Sequence, residues 1–61
     1  MDELFIEPND GMACHLYYTP GVNPWCVRLI DIDSDNTVTL RRFSDVVKAR
    51  AFVRYCLPNH D

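Results

Sequence analysis

The sequence predicts a small α+β domain. It would hold a three-stranded antiparallel sheet, with room for a short fourth strand at the N-terminus, and one C-terminal α-helix packed on one face, in β-β-β-α order. Three observations carry this. Two β-favouring runs, residues 25–32 and 37–43, are joined by Asp33-Ser34-Asp35-Asn36, a composition that makes turns. Residues 12–18 alternate with the period of a strand. Behind Ser44, apolar residues recur at helical spacing.

Taken in order, residues 1–11 are an acidic lead-in around Leu4-Phe5-Ile6, which reads as a short edge strand or a packed loop. Pro8-Asn9-Asp10-Gly11 is a dense turn signal. In the strand at residues 12–18, Met12, Cys14, Leu16 and Tyr18 form the better core face, opposite Ala13, His15 and Tyr17. Residues 19–24 hold Pro20, Gly21 and Pro24 and cannot continue a ladder. In residues 25–32, Trp25, Val27 and Leu29 point one way and Cys26, Arg28, Ile30 and Ile32 the other, as in a central strand with two partly apolar faces. In residues 37–43, Val38 and Leu40 share one face, and Thr37, Thr39, Arg41 and Phe43 the other. The short connection makes these last two strands a hairpin. Ser44 is the expected N-cap of a helix over residues 44–57, with Asp45 complementing the helix dipole. Val46, Ala49, Phe52, Val53, Cys56 and Leu57 form its apolar stripe, and Pro58 stops it.

Sixty-one residues make one domain, and a chain of this size buries only about 60% of its unfolded surface. Its stability is expected to lean on a partner, a metal or a cross-link. The three cysteines, Cys14, Cys26 and Cys56, are widely spaced and odd in number, a poor disulfide framework. Buried thiols in a reducing compartment are the expectation. No apolar run reaches the roughly 20 residues that span a bilayer, and the acidic start does not read as a signal peptide. The chain is therefore expected to be cytoplasmic, with no membrane partner.

No cofactor and no metal are expected. Residues 31–36 begin like a calcium loop, but its sixth position is Asn36, not glycine, and its twelfth is Arg42, not a bidentate glutamate. Cys14, His15, Cys26, Cys56 and His60 lack the closely spaced pairs of a structural zinc site. No nucleophile has an oriented base and no glycine-rich phosphate loop is present, so an enzyme is not expected.

What remains is surface. The net charge is −3, unevenly spread: residues 1–24 hold only acidic charges, and residues 37–57 hold Arg41, Arg42, Lys48, Arg50 and Arg54 against Asp45. Asp31, Asp33 and Asp35, with the group near Glu7, form a candidate acidic contact for the basic surface of another protein. Tyr17, Tyr18 and Trp25 are candidate aromatic anchors. The uncovered sheet face or an edge strand could pair two copies into a homodimer. The alternative is a nucleic-acid-binding sheet with Arg28, Arg41 and Arg42 as readers, although six cations against nine anions run against phosphate neutralisation.

Residues 25–56 carry Trp25, Arg28, Arg41-Arg42-Phe43 and Ala49-Arg50-Ala51-Phe52 in an order that resembles the N-terminal arm-binding domain of tyrosine recombinases. That resemblance implies the nucleic-acid reading. In style, a short, acidic, stand-alone αβ chain also resembles phage- or mobile-element-encoded inhibitors such as anti-CRISPR proteins. That likeness implies a non-enzymatic regulator that binds a basic, nucleic-acid-binding surface of a host protein.

Overall fold

The computed structural model describes residues 2–58. Four strands form one antiparallel sheet in chain order: β1 (Asp2–Glu7), β2 (Met12–Tyr18), β3 (Trp25–Asp31) and β4 (Asn36–Phe43). One helix, α1 (Val46–Cys56), follows. The class is α+β, with the helix laid across one face of the sheet.

The N-terminal segment is therefore a full sheet member of six residues, larger than the three-residue apolar centre suggested. Its pattern is inverted. Glu3, Phe5 and Glu7 pair with Leu16, Cys14 and Met12 and so share the helix side, while Leu4 and Ile6 point to the open side. An acidic residue on the roofed side hides a strand from a reading that looks for apolar residues there. Glu3 is accommodated because Arg50 of α1 reaches over the edge and donates two hydrogen bonds to its carboxylate, at 2.7 and 2.6 Å.

The other elements lie close to expectation. β2 has the anticipated bounds, and β3 ends one residue early, at Asp31. Asn36 belongs to β4, not to the turn. A bulge opposite Leu29 and Ile30 shifts the β3–β4 register, so that Leu29 faces Thr39 while Ile30 faces Thr37. The helix is shorter than residues 44–57, and its N-cap is Asp45, not Ser44. Asp45 is extended (φ −139°, ψ 160°), and its Oδ1 accepts from the amide of Lys48 at 2.9 Å. Aspartate and serine cap about equally well, and aspartate adds a negative charge at the positive end of the helix dipole.

The core lies between the helix and the sheet. Cys14, Leu16 and Val27 from the sheet meet Ala49, Val53 and Leu57, with Phe5, Met12, Trp25, Leu29, Phe43, Val46, Phe52 and Cys56 around them. All six positions of the expected helical stripe are in this cluster. Leu57, just past the helix, is 1% exposed, and its amide donates to the carbonyl of Val53 at 2.9 Å. Among the described residues, no helix lies over the opposite sheet face.

Candidate partner-binding surfaces

At one end of the sheet the β1–β2 and β3–β4 connections lie side by side. The first is a 3-10 turn over Pro8–Asp10 closed by Gly11, whose left-handed backbone (φ 65°) suits a residue without a side chain. In the second, Asp31 accepts twice: its Oδ1 from the amide of Asp33 at 3.0 Å, and its carbonyl from the amide of Asp35 at 2.8 Å. Asp35 itself is left-handed (φ 60°), a conformation that aspartate tolerates better than most residues. The amide of Ile32 donates to the carbonyl of Gly11 at 2.9 Å and ties the two turns together. Asp10, Asp33 and Asp35 are exposed at this end, with Asp31 half-buried behind them. Glu7, grouped with them from the sequence, is 8% exposed on the helix side of β1. Asp10 takes its place at the surface, and no spacing signal in the sequence joins Asp10 to Asp33.

The open sheet face reads in rows across the strands. The first row is Asp2, Tyr17, Cys26 and Arg42; the second Leu4, His15, Arg28 and Leu40; the third Ile6, Ala13, Ile30 and Thr37, with Val38 beside the bulge. Leu4, Ile6, Val38 and Leu40 are each about half exposed. His15 Nε2 lies 3.3 Å from Asp2 Oδ2, and its ring is 4.7 Å from that of Tyr17. Arg28 has a buried Nε with no hydrogen-bond partner among the described residues. Together with Asp2, Glu3, Leu4, His15 and Ile30 it lines an open hollow of about 350 Å³. Residues 19–24 join the β3 and β4 end of the first row at its rim: Arg42 Nε donates to the carbonyl of Asn23 at 3.1 Å, and the Cys26 thiol donates to that of Pro24 at 3.7 Å.

The predicted sets are thus divided between faces. Tyr17 is on the open face, whereas Tyr18 and Trp25 share the helix side, edge to face at 5.1 Å. Arg28 and Arg42 are on the open face; Arg41 pairs with Val27 and lies on the helix side. The apolar edge residues Leu4 and Leu40, separated by 36 positions in sequence, become parts of one face only through the strand order.

Two of the thiols, Cys14 and Cys56, are biased toward their neutral form. Burial pushes the Cys14 thiol up to about 12, and the neighbouring Cys56 adds to the effect. Burial also raises Cys56, against opposing pulls from its hydrogen bond to Cys14 and from the charge of Arg41. Among the described residues no three His, Cys, Asp or Glu side chains come together in a way that could hold a metal ion. His60 lies outside the described residues. No helix among the described residues is long and apolar enough to cross a membrane. Comparison with protein-family models, with curated proteins and with solved structures finds no match to this chain.

Proposed function

We propose that this chain is a non-enzymatic protein-binding module that docks its acidic end on the basic surface of another protein. The hydrogen bond from Ile32 to Gly11 is the observation that carries the reading, because it brings Asp10 beside the Asp31, Asp33 and Asp35 turn. Screening acts over about 10 Å at ordinary salt, so carboxylates on two adjoining turns act on a partner as one patch. Such a patch suits a groove that normally holds nucleic acid, since carboxylates can take the place of phosphates. A cytoplasmic inhibitor of the anti-CRISPR kind, encoded by a phage or mobile element, would work in this way.

Affinity capture from nuclease-treated lysate of the native host tests this, with the wild-type chain and an Asp33→Lys/Asp35→Lys variant as baits. The expected result is a basic nucleic-acid-binding protein retained by the wild type, released by salt and absent from the variant. Identical capture by both baits would overturn the reading. The nucleic-acid alternative has less support, because Arg41 faces away from Arg28 and Arg42. A gel shift at low salt, steeply weakened as salt is added, would favour it instead.

A further inference from the structure

We infer that the open sheet face binds a second copy of this chain, face to face, about a twofold axis parallel to the strands. This rests on the order of residues in the rows and is independent of the acidic-end reading. A twofold axis running between β2 and β3 carries β1 of one copy over β4 of the other and leaves each residue at its own height. In the middle row, Leu4 then meets Leu40 of the second copy, and His15 meets Arg28. In the third row, Ile6 meets Thr37, with Val38 beside it at the bulge, and Ile30 lies over Ala13, which is buried within its own copy. In the first row, Asp2 meets Arg42, which Asn23 holds at the rim. The central apolar edge residues find each other, and the anionic edge finds the cationic one.

Sheets stacked in this way stay within about 30° of alignment, which displaces the central residues least. Four strands about 4.8 Å apart and about six residues long offer roughly 400 Å² of projected face per copy. The accessible area of a side-chain-covered surface is larger than its projection, so the contact falls at the small end of specific interfaces. A dissociation constant on the order of micromolar is expected. The axis direction leaves both acidic ends on the same side of the dimer.

The test is sedimentation velocity over a concentration series, with wild type, Leu4→Lys, Leu40→Glu and an equimolar mixture of the two variants. Both positions are exposed, so the substitutions spare the core. Each variant alone places two unpaired charges against leucine and is expected to weaken dimerisation by at least about a hundredfold. Mixed, they form a heterodimer in which the introduced lysine of one copy faces the introduced glutamate of the other. The second contact of that heterodimer remains leucine against leucine, so dimerisation returns. Within one copy these positions lie on opposite edges of the sheet, roughly 14 Å apart, and cannot pair. A wild type that stays monomeric at high concentration, variants that dimerise like wild type, or a mixture that stays monomeric would each overturn the inference.

Discussion

Leu57→Ala tests whether the helix is held on the sheet from beyond its own end. Leu57 is 1% exposed and belongs to the central cluster although it lies outside α1. The substitution removes three buried carbons, worth about 2.4 kcal/mol at about 0.8 kcal/mol each. The cavity left behind raises the cost to about 3–4 kcal/mol. A chain of this length has a total stability of about 3–9 kcal/mol, so the variant loses a large share of its margin. Thermal and urea unfolding in dilute solution should show a melting temperature lower by about 12–30 °C. The urea midpoint should fall with little change in slope. Tyr55→Ala, on the exposed side of the last turn, is the control and should cost less than about 1 kcal/mol. If Leu57→Ala stays within about 0.5 kcal/mol of wild type, or costs no more than Tyr55→Ala, the assigned core is wrong.

Asp45→Ala should cost about 1 kcal/mol in urea unfolding through loss of the cap on the Lys48 amide, whereas Ser44→Ala should change stability by less than about 0.5 kcal/mol. The Arg50 guanidinium holds the Glu3 carboxyl below its ordinary value of 4.5, chiefly by hydrogen bonding. That contribution is complete above the ordinary value and fades as pH falls through the lowered one. Glu3→Gln should therefore melt below wild type near neutral pH, with the gap closing in strong acid; a gap that stays constant would refute the link. In alkylation followed by mass spectrometry, Cys56 should react first, while Cys14 and Cys26 stay protected until the chain unfolds. Modification of Cys14 in the folded protein at the rate of Cys56 would contradict its assigned burial.

Much of the fold was legible because apolar periodicity and burial agree where an element has one wet side. Cys14 and Leu16 in β2, and the stripe from Val46 to Leu57, are of this kind. β1 was hard to read because its roofed side carries Glu3 and Glu7, and the partner that stabilises Glu3 lies 47 positions away in the helix. The cap went to Asp45 because two adjacent residues can do the same chemistry and only backbone geometry chooses between them. The candidate surfaces were less legible. Alternation separated Arg28 from Trp25 and Tyr17 from Tyr18, and in β2 it marked the side of Cys14 and Leu16 as the core side, but the two partly apolar faces of β3 carry no such mark. Asp10 joined the acidic end through a backbone hydrogen bond, which leaves no mark in side-chain composition.

The strand order has a kinetic consequence. Because each strand pairs with its neighbour in sequence, the sheet can zip up hairpin by hairpin through short loop closures, and chains dominated by such local pairings fold quickly. The clamp between Glu3 and Arg50 is different, since it closes a loop of 47 positions and costs more chain entropy to form early. Turn substitutions at residues 32–35 should therefore slow refolding, whereas breaking the clamp should mainly speed unfolding.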